Sequence, residues 1–230
     1  MEDLVLERLP VAIIGAGPVG LAAAAHLAER QIPFIIFEQG ASAGHSIAQW
    51  AHVRVFSPWQ FNIDAAARRL LTQSGWVPPS DDDLPTGQDI IDRYLSPLAS
   101  HPVIAASLKL GAKVISIGRL HTDKVKSAGR EAKPFEIRLA DDNRYLARAV
   151  IDASGTWFSP NPLGAGGYPA RGEEQASDRI TYGIPDILGV DRARFANKKV
   201  LVVGAGHSAI NSLLDLVTLS EREGETRIRW

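Results

Sequence analysis

Gly15, Gly17 and Gly20 stand in the order Gly-x-Gly-x-x-Gly, directly after the apolar run Val11-Ala12-Ile13-Ile14 and directly before the alanine-rich stretch Leu21 to Arg30. That spacing suits the gripping of a diphosphate. The first glycine permits a sharp strand-to-helix turn, the second lets a phosphate approach the backbone without meeting a Cβ, and the third lets helix and strand pack closely. The helix opening then presents unsatisfied N–H groups and a partial positive charge to the anion. Glu38 lies 23 residues after Gly15 at the end of the apolar run Phe34 to Phe37. An acid there can accept hydrogen bonds from ribose hydroxyls, and its charge disfavours a 2′-phosphate, so this site suits FAD or NAD rather than NADP. A lone fingerprint of this kind also spells an ordinary tight turn; the strand before, the helix after and the acid at the next strand end single this one out.

The pattern recurs. Lys199 to Val203 is a second apolar run, followed by Gly204, Gly206 and Ala209 in the three fingerprint positions, then by the apolar-periodic stretch Ile210 to Leu219. Ala209 is a permitted small substitute for the third glycine, and His207 and Ser208 open the helix where they would meet a diphosphate. The first glycines of the two copies are 189 residues apart, too far for a solenoid repeat and consistent with one architecture used twice. The second helix is longer by about four residues, which puts its ribose-reading position near residue 231.

The elements that must hold these turns read as strand, turn, helix, strand in each copy, a βαβ unit. Between them, Asn62 to Gly75 and Thr86 to Ala99 read as helices, the second opened by Thr86 with Asp89 three residues on, a weaker capping box. Val77 to Pro85 separates them as a loop. Ala112 to Leu120, Pro134 to Ala140 and Arg144 to Ala149 read as an antiparallel meander. Val150 to Gly155 reads as a buried strand ending in small residues, and Thr156 to Ala196 as a long irregular passage between domains. The fold class is therefore α/β: a Rossmann-like domain with a parallel sheet and an antiparallel β-meander over 1–160, an interdomain crossing over 161–196, and the first βαβ part of a second Rossmann-like domain over 197–230.

Composition narrows the chemistry. The 230 residues carry 25 Lys plus Arg against 26 Asp plus Glu, a formal charge of −1, which leaves no basic field for nucleic acid or an anionic membrane. Apolar residues at 45% and charged residues at 22% fit a globular chain of one large or two small domains. Cysteine is absent, which removes disulfides, thiolate nucleophiles and iron–sulfur ligation, so any redox chemistry belongs to a cofactor. The start Met1-Glu2-Asp3-Leu4-Val5 is acidic where a secretory signal is basic, and no apolar run approaches the roughly 18 residues of a membrane span. A cytoplasmic protein with a small-molecule substrate is the expectation; the oligomeric state is not readable. The histidines at 26, 45, 52, 101, 121 and 207 show no metal-site spacing. His45 and His52 suit either proton transfer or ordinary loop roles, Asp81-Asp82-Asp83 a solvated turn rather than a cation site, and Trp50, Trp59, Trp76 and Trp157 either aromatic walls or plain core.

These residues resemble the two-dinucleotide-binding-domain flavoproteins, within them the flavin-containing monooxygenase and Baeyer–Villiger-like group, over most of 9–230. The resemblance is carried by Val11 to Gly20 with Glu38, by Gly44 to Pro58 with Trp50 and Arg54, by Asp152 to Trp157, and by Val202 to Ala209. It implies FAD on the first turn, NADPH on the second with NADH possible, and adenine held by backbone groups at Val114. The cofactor-binding set is then Gly15, Gly17, Pro18, Gly20, Glu38, Gln39, Trp50, Arg54, Val114, Ala153, Gly155, Gly204, Gly206, His207, Ser208 and Ala209, with no catalytic residue assigned. The function implied is an FAD-dependent NAD(P)H oxidoreductase, a flavoprotein monooxygenase acting on a small organic substrate. Two departures bring in alternatives. The family's interdomain fingerprint contains a His, yet Gly167 to Tyr182 has none, and no flavin-side Asn maps onto Gly44 to Arg54, which favours a flavin oxidase or reductase without oxygen insertion. The chain also ends inside its second βαβ unit, so an amino-terminal portion of a longer enzyme, the product of a damaged gene model, or a non-catalytic nucleotide-binding fragment is expected.

Overall fold

The computed structural model describes residues 6–230; the acidic start Met1–Val5 lies outside the described residues. The chain divides into two compact units, one ending at Gly155 and the other spanning Thr156–Trp230.

In the first unit, strand β1 (Val11–Ile14) leads into helix α1 (Pro18–Glu29) and strand β2 (Phe34–Phe37). A run of short helices follows: α2 (His45–Ala48), α3 (Trp59–Asn62), α4 (Ala65–Gln73) and α5 (Gly87–Ile90), a π-helical segment Ile91–Leu95, then α6 (Ser96–Ser100) and α7 (Pro102–Ala105). The strands β3 (Leu108–Lys109), β4 (Val114–Arg119), β5 (Phe135–Leu139), β6 (Arg144–Ala147) and β7 (Ala149–Asp152) complete it. β3, β2, β1 and β7 form a parallel sheet in that order, and β4, β5 and β6 form the antiparallel meander.

The apolar run of β1 is continuous because both of its faces are covered. Alternate side chains point to opposite sides of a strand: Ile13 joins Leu21, Ala24 and Ala25 of α1 on the helical side, whereas Ala12 and Ile14 join Ile137, Leu139 and Ala147 of the meander. The parallel sheet is thus packed between helices and meander.

Three expected boundaries move. The helix expected over Asn62 to Gly75 begins later, as α4: Asn62 ends the separate helix α3, Ile63 is extended, and Asp64 restarts the chain by accepting the N–H groups of Ala66 and Ala67 at 2.8 and 3.1 Å. The Thr86 to Ala99 helix opens on a full capping box, with Asp89 in the usual Glu role, but widens into the π segment. Pro97 has no N–H to offer the carbonyl of Arg93 four residues back, and the indole of Trp76 takes that carbonyl instead at 2.9 Å. The strand expected to be buried over Val150 to Gly155 is β7, half-buried at the edge of the sheet with Asp152 exposed.

In the second unit, helix α8 (Arg192–Phe195), strand β8 (Lys199–Leu201), helix α9 (His207–Arg222) and strand β9 (Arg227–Arg229) form a parallel β8–β9 pair covered on one face. Ile187, Phe195, Leu216 and Leu219 make its small core. Helix α9 has 16 residues against 12 in α1. No helix among the described residues is long and apolar enough to cross a membrane.

Candidate functional site

The first turn is held open from behind. Gly15 has φ +97°, and a Cβ there would lie 2.6 Å from the carbonyl oxygen of Ala153 as β7 ends alongside it. At Gly20 a Cβ would lie 1.9 Å from the Gly15 carbonyl, so helix and turn meet only because both residues lack side chains. Gly17 differs: a Cβ there meets nothing within 4 Å. Two glycines answer to the protein's own packing and the third faces open space, where an approaching ligand would stand. Gly17 is the N-cap of α1 and Pro18 its first residue, so the free N–H groups of the first helical turn point towards that space.

Hydrogen bonds fix the turn. Ala16 donates its N–H to Glu38 Oε2 at 2.8 Å and accepts the N–H of Gly44 at 3.0 Å, and Ala153 donates to the Ile14 carbonyl at 2.9 Å. Glu38 is buried, at 6% exposure, and its other oxygen accepts the Gly40 N–H at 2.8 Å. The acid expected to read a ribose thus first braces the glycine turn; each carboxylate oxygen retains a second lone pair for a hydroxyl. Gln39 next to it is exposed. At the end of β7, the Ser154 hydroxyl and N–H donate to Asp152 Oδ1, which holds that carboxyl below its ordinary value, and Gly155 follows with φ +69°.

The remaining residues from the resemblance have structural partners. Trp50 packs against Gly87, where a Cβ would lie 2.8 Å from the Trp50 carbonyl, and Arg54 donates to the Leu84 carbonyl. Both therefore engage the Leu84–Gly87 strap. Val114 opens β4 and packs against the cluster of Ala12, Ile14 and Phe37. Trp59 is core, at 1% exposure, and within the second unit Trp157 packs against Gly183. The ring of His45 lies over Gly40. Asp81 pairs with Arg68 at 2.7 Å, and among the described residues no three acids or histidines are grouped to hold a metal ion.

The second turn repeats the first with looser packing. Gly204 has φ +127°, a Cβ at Gly206 meets nothing within 4 Å, and the Ala209 methyl lies 3.7 Å from where a Cβ on Gly204 would be. Gly206 caps α9, His207 and Ser208 are exposed in its first turn, and Trp230 donates its indole N–H to the Gly204 carbonyl at 2.7 Å.

Two contributors were not legible in the sequence. Gly44 braces Ala16 from 28 positions away, and Glu173, at 5% exposure, accepts the N–H groups of Leu163 and Ala170 and the Tyr182 hydroxyl, tying together the passage that reads as irregular. The Tyr182 hydroxyl holds the Glu173 carboxyl below its ordinary value and is itself pushed up by that carboxylate.

Two strand–glycine–helix turns, the first set in a parallel sheet covered by a meander, define a Rossmann-type dinucleotide-binding protein. The chain belongs to the pyridine nucleotide-disulphide oxidoreductase family, whose model matches residues 12–222. A ferredoxin–NADP reductase from Oenococcus oeni is 26% identical over 212 residues, covering 92% of this chain and 49% of its own. An indole-3-pyruvate monooxygenase from Oryza sativa subsp. japonica is 30% identical over 222 residues, covering 89% of this chain and 44% of its own. Among solved structures, a flavin-containing monooxygenase from Stenotrophomonas maltophilia superposes with a TM-score of 0.65 at 21% identity, over 96% of this chain and 57% of that one, a likeness of fold. The chain spans about half the length of the curated relatives it matches.

Proposed function

We propose that this chain is the cofactor-gripping portion of an FAD-dependent NAD(P)H oxidoreductase. The first turn, Gly15 to Gly20, takes FAD, and the second, Gly204 to Ala209, takes NADPH, with NADH the alternative. The observation that carries the reading is the open space over Gly17 and Gly206, the two positions where a diphosphate would meet backbone N–H groups at a helix opening. Glu38 supports FAD at the first turn, since its carboxylate sits against Ala16 and would repel a 2′-phosphate. Gln39, Val114, Ala153 and Gly155 follow the turn as secondary contacts, and His207 and Ser208 serve the second diphosphate. When bound, the flavin supplies the two-electron chemistry that a cysteine-free sequence has no side chain to perform. Dithiol exchange, which names the family, has no partner among these 230 residues.

For the reaction itself, the monooxygenase relatives support oxygenation of a small organic substrate by the whole protein. A second reading, reduction of an acceptor without oxygen insertion, is favoured by the absence of His from Gly167 to Tyr182, where Glu173 and Tyr182 organise the backbone instead. Incubation with FAD followed by desalting tests the shared part: retained absorption bands at about 375 and 450 nm are expected, and a colourless protein would sink the proposal. NADPH consumption measured against peroxide then separates the two reactions. Consumption that ends wholly as peroxide with every candidate substrate counts against oxygenation.

A further inference from the structure

On the flank of α1, adjoining the first glycine turn through Pro18 and Val19, lies a crevice of about 310 Å³. Val19 and Ala22 of α1 form one side, and Phe61 and Ile63, where α3 ends, form the other; Asp64 and Tyr94 supply its polar atoms. Val19 and Phe61 are 68% and 75% exposed, so the mouth is apolar and open, whereas Tyr94 is 1% exposed and forms the floor. The Tyr94 hydroxyl accepts the Asp64 N–H at 3.2 Å, and among the described residues its own hydrogen has no acceptor. Burial pushes the phenol up to about 12, so that hydrogen stays in place at any physiological pH. A buried donor without an acceptor is costly unless something entering the site accepts from it. The π-helical segment Ile91–Leu95 includes Tyr94, and such segments are frequent at functional sites.

Asp64 sets the charge. Burial raises its pKa, but the N–H of Ala67, the ring of His26 at 3.2 Å and the N–H of Ala66 outweigh it and hold the carboxyl below its ordinary value. An ionised carboxylate in the wall repels anions, which disfavours a diphosphate or carboxylate here. We propose that this crevice binds a small neutral molecule with a single-ring apolar body and one hydrogen-bond acceptor, which the Tyr94 hydroxyl takes. The site goes beyond the dinucleotide reading and needs neither FAD nor NAD(P)H.

Saturation-transfer NMR on the 230-residue chain tests it with acetophenone, which has one ring and one acceptor, against ethylbenzene, which has the ring alone. Acetophenone is expected to bind, and Tyr94→Phe to weaken it about fivefold, the worth of one neutral hydrogen bond, without changing ethylbenzene. Because Tyr94 also holds the Asp64 N–H, Phe61→Ala serves as a second variant: it removes an exposed wall, leaves the core intact and should weaken acetophenone about fivefold or more. If Tyr94→Phe does not fold, Phe61→Ala decides. Absent binding, equal affinity for the original chain and the variants, or displacement of acetophenone by FAD would each overturn the proposal, the last because the crevice would then belong to the flavin site. Failure of FAD to bind leaves the acetophenone result standing, so the two readings fail separately.

Discussion

One methyl group separates the roles of Gly17 and Gly20. At Gly20 it would collide with the Gly15 carbonyl at 1.9 Å, so Gly20→Ala should destabilise the first unit by about 3 kcal/mol through overpacking. A chain of this size should then melt on the order of 6–12 °C lower, which differential scanning fluorimetry measures. At Gly17 the same methyl meets no protein atom, so Gly17→Ala should leave melting unchanged while FAD retention falls. If Gly17→Ala destabilises as much as Gly20→Ala, the open space over Gly17 is not a ligand's place. Glu38 makes a related case: Glu38→Ala strands the N–H groups of Ala16 and Gly40, at about 1–3 kcal/mol for each donor that water does not reach, visible as lower stability before any cofactor is added. At this scale the sequence was informative, because glycine spacing and a strand-end acid are local signals. It did not show that Glu38 turns inward, since the amides it braces are brought together only when the turn has formed.

Helices and strands were legible where their patterns were long and less so where one residue redirects the chain. β1, α1, β2 and the meander carry continuous or alternating apolar patterns that survive any small shift of boundary. The break at Ile63 and Asp64 does not: Ala65 to Leu71 continues an apolar helical pattern through it, and only the side chain of Asp64 folding onto Ala66 and Ala67 reveals the restart. The π segment was hidden similarly, because its cause is one absent N–H at Pro97 and its remedy is Trp76, far off in sequence. Asp64 gives a measurable consequence. Its folded pKa is depressed, so the stability its charge contributes is present above the unfolded value of about 3.9 and lost as pH falls through the folded value. Acid melts from pH 5 downward should show Asp64→Asn losing less stability than the original chain over that range. At pH 7 Asp64→Ala should cost about 1 kcal/mol through loss of the α4 cap. Identical acid profiles for Asp64→Asn and the original chain would count against this assignment.

Across the whole molecule, the two units differ in how completely they bury the elements that present their glycine turns. Ile13, Leu21 and Ile36 around the first turn are fully buried. Around the second, Leu201 and Val203 remain 67% and 63% exposed, and α9 shows solvent a stripe of Ile210, Leu214 and Val217 beside the buried pair Leu216 and Leu219. Parallel strands are stable when both faces are covered, and the apolar run Lys199 to Val203 reads as such a strand, yet β8 is covered on one face alone. Sequence pattern reports the apolar character of a strand, not what lies against it. Local opening free energy follows buried apolar contact, so amides of β8 and α9 should exchange with deuterium well before those of β1 and α1. The proposed nucleotide site sharpens the expectation. NADPH at about a hundred times its Kd should stabilise the unit it binds by about 2.7 kcal/mol, slowing exchange across β8 and the first turn of α9 roughly a hundredfold where that unit opens as a whole. FAD should instead slow exchange in β1 and the first turn of α1. Protection that rises in both units with either nucleotide would mean that the two turns do not divide the cofactors between them, and equal protection of β8 and β1 without ligand would mean that exposure of Leu201 and Val203 does not weaken the second unit.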